Sequence, residues 1–196
     1  MWVFFSKKQY AGVVGAFNCQ GGGWFPEERI NKCASQCSKR VYSTISPNDV
    51  EWYQGSEPIV LIDGMEEEFA VYLYQAKRLL LIKRMDDIHI SLDPFDFELF
   101  TMAPVKRISS AIKFAAIGLT NMLNTGGALE HVKAIGLHAL VEVKGCGEMW
   151  AYASKEPTRC KLNGREVDFV YGSEEGTVVI QVPWNGGPNS IVEYLF

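Results

Sequence analysis

The stretch EFAVYLYQAKRLLLIK, residues 68–83, is the part of the sequence that decides the fold. Residues 68–74 favour an extended chain and place apolar side chains on both of its faces. Residues 78–82 are again apolar, and only the polar segment 75–77 separates the two runs. This pattern predicts a β-hairpin with apolar groups on both faces.

The same signals recur through the rest of the chain as short runs of alternating or apolar residues separated by turn residues. Such runs lie at residues 88–92, 95–101, 140–144, 148–153, 167–171, 177–182 and 190–196. Turn signals between them include Gly145 to Gly147, the pair Asn163-Gly164, and the segment 174–176. The pattern is typical of a β-sandwich or barrel. We expect an all-β, antiparallel β-sandwich of Greek-key type, formed as a single domain by residues 1–196.

Two segments depart from this rhythm. Residues 20–57 are polar and rich in Gly, Cys and Ser, and they predict one long irregular loop in which only residues 40–45 are strand-like. Residues 117–124 predict a short helix or an irregular turn that the pair Gly126-Gly127 stops.

Composition excludes several classes of protein. The 196 residues are 47% hydrophobic and 21% charged, with a net charge of −4, which supports a real core and argues against disorder. Lys and Arg form no block, so we expect no nucleic-acid partner. The longest apolar stretches are far shorter than the roughly 20 residues that a membrane-spanning helix needs, so we expect no membrane contact.

The cysteines and the start of the chain favour a soluble, cytoplasmic protein. The number of cysteines, five, is odd, and the sequence contains no Asn-x-Ser/Thr sequon. The first residues lack the features of a signal peptide. Reduced thiols are therefore the simplest interpretation.

The cysteines also give the nearest approach to a metal signature. Cys33 and Cys37 are four residues apart, with Cys19 nearby, whereas zinc sites usually have four Cys or His ligands at tighter spacing. No histidine lies near them in the sequence. We interpret these residues as structural or free thiols and expect no metal and no other cofactor.

Acidic residues form three clusters, but none of them predicts a catalytic pair. The clusters are residues 66–68, Asp86 with Asp87, and Asp49 with Glu51. A retaining glycosidase needs two carboxyl groups about 5–5.5 Å apart, whereas these clusters border strands and turns, where solvated charge is normal. The sequence also lacks the common nucleophile motifs. We assign no catalytic residue and expect no complete active site within the chain.

The glycine-rich segment before Trp24 has two interpretations. Residues 21–23 are all glycine, but no Lys-Ser/Thr pair follows them as in a phosphate-binding loop. In the first, the glycine backbone lies close to a bound sugar and Trp24 stacks on the sugar ring. In the second, Trp24 packs into the core and holds the loop against it, which is the more common role of such a residue. Trp24 and Trp52 are the candidate substrate-binding residues, and Trp184 is a third aromatic group that a sugar-binding surface could use.

Several motifs together resemble one protein family. They are residues 10–24 (YAGVVGAFNCQGGGW), 46–52 (SPNDVEW), 97–99 (FEL), 103–105 (APV), 117–127 (IGLTNMLNTGG), 143–147 (VKGCG), 182–184 (VPW) and 193–196 (EYLF). In this order they resemble the plant raffinose synthases and seed-imbibition proteins, which are galactinol–sucrose galactosyltransferases related to stachyose synthases and alkaline α-galactosidases. Residues 31–37 (NKCASQC) are similar to the seed-imbibition and α-galactosidase branch.

The resemblance implies a retaining mechanism in which one aspartate attacks an α-galactoside and a second acts as acid and base. In the family these aspartates belong to a (β/α)₈ barrel that precedes the region matched here. The chain then corresponds to a C-terminal, non-catalytic β-sandwich that supports the barrel through an exposed apolar patch. Galactosides such as galactinol, sucrose or raffinose are the implied ligands. The alternatives are a free-standing carbohydrate-binding module and an inactive, truncated gene product.

Overall fold

Antiparallel strands form almost all of the regular structure in the computed structural model. The structure describes the backbone of residues 2–4, 10–50, 52–54, 57–58, 68–187 and 189–196, and the side chains of 10–50, 52, 68–187 and 189–196. The strands are β1 (Trp2–Phe4), β2 (Gly12–Phe17), β3 (Gly23–Phe25), β4 (Ile30–Lys32), β5 (Val41–Ile45), β6 (Tyr53–Gln54), β7 (Glu57–Pro58), β8 (Glu68–Leu73), β9 (Arg78–Lys83), β10 (Ile88–Leu92), β11 (Phe97–Pro104), β12 (Lys106–Arg107), β13 (Lys113–Leu119), β14 (Leu129–Ile135), β15 (His138–Val143), β16 (Gly147–Ala153), β17 (Arg159–Leu162), β18 (Arg165–Val167), β19 (Val170–Gly172), β20 (Thr177–Val182) and β21 (Ser190–Leu195). One helical turn, α1 (Ala34–Cys37), and two 3₁₀ turns, Pro47–Asp49 and Thr125–Ala128, complete the described elements.

The predicted hairpin at residues 68–83 is confirmed as β8 and β9, which lie in an N-terminal sheet with the strand order β1-β2-β11-β8-β9. Side chains alternate between the two faces of a strand. Phe69 and Val71 of β8 therefore enter one apolar core, and Ala70 and Tyr72 enter a second. Strands β2, β8 and β11 of this sheet are buried on both faces, which explains why their sequences are apolar without strict alternation.

A two-stranded layer covers one face of the N-terminal sheet. Strands β5 and β10 pair antiparallel, and their Ile45 and Leu92 pack with Phe100 and Met102 of β11. Trp52 belongs to the same core.

Two five-stranded sheets form the C-terminal sandwich, in the orders β12-β13-β16-β20-β19 and β14-β15-β21-β17-β18. Their inner faces share one core, in which Ile117, Met149, Val141 and Tyr194 are almost completely buried. The last strand, β21, lies between β15 and β17, so strands distant in the sequence become neighbours, as expected of a Greek-key sandwich. The all-β sandwich prediction is confirmed.

The N-terminal sheet packs its second face directly on the C-terminal sandwich. The ring centroids of Tyr72 and Trp150 are 5.0 Å apart across this junction. An ion pair of 2.5 Å joins Lys113 to Glu68, and the buried hydroxyls of Thr101 and Thr125 are 2.6 Å apart.

A bulge in β13, where it pairs with β16, requires a glycine. The pairing register with β16 shifts between Ala116 and Gly118, where the backbone takes a φ of +113°. A Cβ atom added at Gly118 would lie 2.0 Å from the carbonyl oxygen of Thr125. Any larger residue is therefore excluded by both conformation and space.

The two irregular segments are more ordered than the sequence indicates. Residues 20–57 contain the expected strand β5, but also the β3–β4 hairpin, α1 and a 3₁₀ turn, so the prediction of one irregular loop is wrong in its detail. In the second segment, residues 117–119 complete β13, and Gly126-Gly127 lies inside the second 3₁₀ turn rather than after a helix. Glycine-rich turns hide such short elements from a periodicity argument because no apolar repeat marks them. Among the described residues, no helix has the length and apolar character to cross a membrane.

Candidate functional site

A buried amide organises the end of the molecule that carries the glycine-rich segment. Asn18, which follows β2, is 2% exposed, and its Nδ2 donates to the carbonyl oxygens of Lys39 at 2.8 Å and Leu92 at 3.1 Å. Its Oδ1 accepts a hydrogen bond from the backbone N–H of Gln20 at 3.3 Å. One side chain thus joins the ends of β2 and β10 to the segment before β5. We call this region, with the β3–β4 hairpin and α1, the hairpin end.

The β3–β4 hairpin presents Trp24 to solvent. Trp24 pairs with Asn31, and its side chain is 59% exposed. Next to Trp24 in the hairpin, the Nζ atom of Lys32 lies 2.6 Å from a carboxylate oxygen of Glu28. The same Nζ lies 4.7 Å from the centroid of the Phe25 ring, and this cation–π contact helps to hold the ring in place. Trp24 therefore does not pack into the core to hold the loop, and its indole is available to a ligand.

The three glycines before Trp24 have different environments. A Cβ atom at Gly22 would lie 2.2 Å from the carbonyl oxygen of Lys32, so this position needs glycine for close packing against β4. An added Cβ at Gly21 or Gly23 would meet nothing within 4 Å. The backbone on either side of Gly22 is therefore open, which allows a ligand to approach it next to Trp24.

Helix α1 closes the base of the hairpin. The thiol of Cys37 donates to the carbonyl oxygen of Gly21 at 3.1 Å. The side-chain oxygen of Gln20 accepts from the backbone N–H of Lys39 at 2.8 Å. These contacts fix the position of the glycine-rich segment relative to α1.

More exposed aromatic side chains lie at the same end of the molecule. Tyr42 on β5 is 76% exposed, and Phe95, whose N–H donates to the carbonyl oxygen of Asn18, is also exposed. Phe17 stacks on Phe97 with a centroid separation of 5.8 Å. Together with Trp24, these residues provide the apolar faces that stack on sugar rings or pack against another protein surface.

A charged pair also lies at the hairpin end, directly before β5 and directly after β10. Arg40 makes two hydrogen bonds of 2.7 Å to the carboxylate of Asp93. The hydrogen bonds from Arg40 hold the pKa of Asp93 below its ordinary value, and they raise that of Arg40. Both groups stay charged at neutral pH and give the surface a polar element.

Trp52, the second candidate, is in a different environment. It is 7% exposed, its ring centroid lies 5.4 Å from that of Phe69, and its Nε1 donates to the carbonyl oxygen of Pro47 at 3.1 Å. This indole holds the 3₁₀ turn Pro47–Asp49 against the core, and neither face of its ring is accessible to a sugar. Trp184 is 73% exposed, and it follows β20 of the C-terminal sandwich.

The acidic clusters serve local structure where they are described. Asp49 accepts from the N–H of Ser46 at 2.8 Å, and Asp86 accepts from the N–H of Lys83 at 2.8 Å. Glu68 pairs with Lys113. Asp87 is exposed, and the members at positions 51, 66 and 67 lie outside the described residues.

The five cysteines are all free. Cys160 is buried, which raises the pKa of its thiol to about 12. Within the described ranges, no group of three or more His, Cys, Asp or Glu side chains is placed to hold a metal ion.

Sequence reasoning missed three features of this region: Asn18, Tyr42 and Phe95. The signal for Asn18 was a lone amide directly after the apolar strand 12–17. Phe95 follows a proline in a turn and takes a φ of +69°, which a bulky residue rarely adopts, so no propensity argument finds it.

Comparison with known proteins decides the family. A family model described as raffinose synthase or seed imbibition protein Sip1 matches residues 1–182. The chain belongs to this family. It is 46% identical over 198 residues to a probable galactinol–sucrose galactosyltransferase 5 of Arabidopsis thaliana, and 46% identical over 200 residues to a galactinol–sucrose galactosyltransferase of Pisum sativum. A stachyose synthase of Pisum sativum is 40% identical over 185 residues.

These alignments cover most or all of this chain but a small part of each relative. They span 100% of the chain and 25% of both galactosyltransferases, and 94% of the chain and 21% of the stachyose synthase. This raffinose synthase family chain therefore spans about a quarter of the length of the curated relatives it matches.

Proposed function

We propose that this chain acts as a single, non-catalytic C-terminal β-sandwich domain of a galactosyltransferase that makes raffinose-type sugars. In this proposal the α-galactosyl chemistry takes place on a (β/α)₈ barrel that the chain itself does not form. The sandwich supports that barrel and contributes the hairpin end to the rim of the active site. Galactosides such as galactinol, sucrose or raffinose are the proposed ligands.

The observation that carries this proposal is the exposure of Trp24 beside open glycine backbone. An indole face stacks on the apolar C–H face of a pyranose, and a nearby backbone without side chains leaves space for hydroxyl groups. Tyr42 and Phe95 extend the aromatic surface. The match to a quarter of two galactosyltransferases supports a role within a longer catalytic assembly.

A cytoplasmic location is part of the proposal. Its support is that all five cysteines are free thiols, including the exposed Cys19 and Cys33. Free exposed thiols are typical of reducing compartments. We propose no metal or organic cofactor, because a retaining transfer between sugars needs only carboxyl groups.

The first experiment measures α-galactosyl transfer and hydrolysis by the folded 196-residue chain, with galactinol as donor and with or without sucrose. We expect no turnover. Turnover in a sample free of other enzymes would show that carboxylates of this chain form an active site, and the proposal would be wrong.

The second experiment tests the rim role directly. We would replace the matching quarter of the Pisum sativum galactosyltransferase with this chain and compare Trp24→Ala with Trp184→Ala in that chimera. Trp24→Ala removes one stacking face, worth about 1–1.5 kcal/mol, so KM for a galactoside rises by roughly 5- to 10-fold with little change in kcat. Trp184→Ala is the matched control, because its indole is also exposed but lies after β20. Equal kinetics for the two variants would remove Trp24 from the substrate path.

A free-standing carbohydrate-binding module is the second candidate function, and the exposure of both Trp24 and Tyr42 favours it. The discriminating measurement is titration calorimetry of raffinose into the isolated 196-residue chain. Binding that Trp24→Ala abolishes would favour the module. Absence of binding, together with an active chimera, would favour the supporting domain.

A further inference from the structure

Two free thiols lie at the ends of α1, and the sugar chemistry proposed above does not use them. Cys33 is exposed, and its Sγ is 3.0 Å from the hydroxyl of Ser35. Cys37 is half-buried, and its Sγ lies 3.3 Å from the carbonyl oxygen of Cys33. The thiol of Cys37 therefore rests directly against the residue that carries the other thiol.

The backbone places the two cysteines within the range of Cα separations that disulfides span. One helical turn from Cys33 to Cys37 separates their Cα atoms by about 6 Å. Disulfides span Cα separations of roughly 4.4–6.8 Å. A disulfide also needs Cβ atoms about 3.5–4.5 Å apart. The turn therefore has to deform as the sulfurs join, and α1 can do so because it is a single exposed turn with no buried residue.

We propose that Cys33 and Cys37 form a reversible disulfide when a peroxide-class oxidant reaches the hairpin end. The Cys33 thiolate attacks a peroxide oxygen, the O–O bond breaks, and a sulfenic acid forms as hydroxide leaves. The thiol of Cys37 then displaces the hydroxyl group as water and forms the S–S bond. Two thiols and one hydrogen peroxide give one disulfide and two water molecules.

Cys33 is the thiol that reacts first. It is solvent-exposed, and its hydrogen bond with Ser35 lowers the pKa of the thiol, so more of it is thiolate at neutral pH. Cys160 is the opposite case, because it is buried and its pKa is raised to about 12. Cys19 is exposed as well and is the competing partner that the experiment has to distinguish.

The disulfide would change how the Trp24 hairpin is held. The thiol of Cys37 donates to Gly21 at 3.1 Å, and this hydrogen bond is lost when the sulfur joins Cys33. The contact between Gln20 and Lys39 remains. We therefore expect oxidation to loosen the glycine-rich segment while the rest of the fold stays intact.

The test is peptide mapping of the 196-residue chain after treatment with hydrogen peroxide. Trypsin cuts after Lys32 and Lys39, so residues 33–39 leave as one peptide that contains both thiols. We expect this peptide to be lighter by two hydrogen atoms and resistant to alkylation until dithiothreitol is added. Before oxidation, iodoacetamide should modify Cys33 at least ~3-fold faster than Cys19.

Two variants sharpen the result. Cys37→Ser should leave a sulfenic acid on Cys33 that dimedone traps, whereas Cys19→Ser should give the same internal disulfide as the unaltered chain. Hydrogen exchange at residues 20–39 should rise after oxidation only where Cys37 is present. A peptide 33–39 that stays reduced, or one that is linked to the peptide containing Cys19, would overturn the proposal.

Discussion

Replacing Asn18 by aspartate tests whether a single buried amide holds the hairpin end together. The change keeps the size of the side chain and replaces Nδ2 by an oxygen. That oxygen would face the carbonyl oxygens of Lys39 and Leu92, which Nδ2 now contacts at 2.8 and 3.1 Å. Two hydrogen bonds become two repulsive contacts at a position that is 2% exposed.

The expected decrease in the free energy of unfolding has two contributions. Each lost hydrogen bond costs about 1 kcal/mol, or about 2 kcal/mol for the pair. Burial without a cation raises the pKa of the new carboxyl by about 2 units, which adds roughly 3 kcal/mol at pH 7. Because the folded-state pKa lies above the unfolded value, the second contribution shrinks as the pH falls through the folded-state pKa. The penalty should therefore drop by about 1 kcal/mol between pH 7 and pH 5.

The assay is urea unfolding of the variant at both pH values, with the unaltered chain measured alongside. Asn18→Ala is the matched control, because it loses the same hydrogen bonds without a titratable group and should show a penalty that does not change with pH. If Asn18→Asp costs no more than Asn18→Ala at pH 7, and shows no recovery at pH 5, then the amide is not the buried anchor described above.

Three further predictions address the core and the thiols. Trp52→Ala should lower the free energy of unfolding by about 3–5 kcal/mol, as measured by denaturant unfolding. Trp52→Phe should lower it by only about 1–2 kcal/mol, because phenylalanine keeps the aromatic packing and loses only the hydrogen bond. Gly118→Ala should prevent folding or lower the free energy of unfolding by more than about 3 kcal/mol, because its Cβ would overlap a carbonyl oxygen. Gly136→Ala, at a φ of +60° and with no atom nearby, should lower it by only about 1 kcal/mol, so similar decreases in melting temperature would contradict this prediction. Cys160 should resist alkylation at pH 8 until the chain unfolds, and mass spectrometry of the labelled peptide would reveal an early reaction that contradicts its burial.

Hairpins and the sandwich class could be predicted because their signals are local. The pair Asn163-Gly164 takes φ values of +50° and +79° between β17 and β18, as a two-residue hairpin turn requires. Alternation along residues 88–92 also predicted a strand, which is β10. Each of these features depends on a few neighbouring residues and not on the rest of the fold.

The candidate site could be predicted only in part because it depends on contacts between distant segments. The sequence singles out Trp24 and Trp52 equally, yet one indole is open and the other is held by Pro47 and Phe69. Spacing does not reveal which aromatic residue a later strand will cover. The role of Asn18 likewise depends on Leu92, 74 residues away.

The N-terminal sheet has a consequence for dividing the molecule. A protein with two separate cores can often be cut between them into pieces that fold independently. Here the N-terminal sheet contributes side chains to both cores. Cutting after Pro104 would leave Ala70 and Tyr72 without the sandwich that covers them, and would strip Trp150 of its partner ring. We therefore expect neither half to persist alone, and an internal insertion or fusion would have to use an exposed turn such as the one at Gly136.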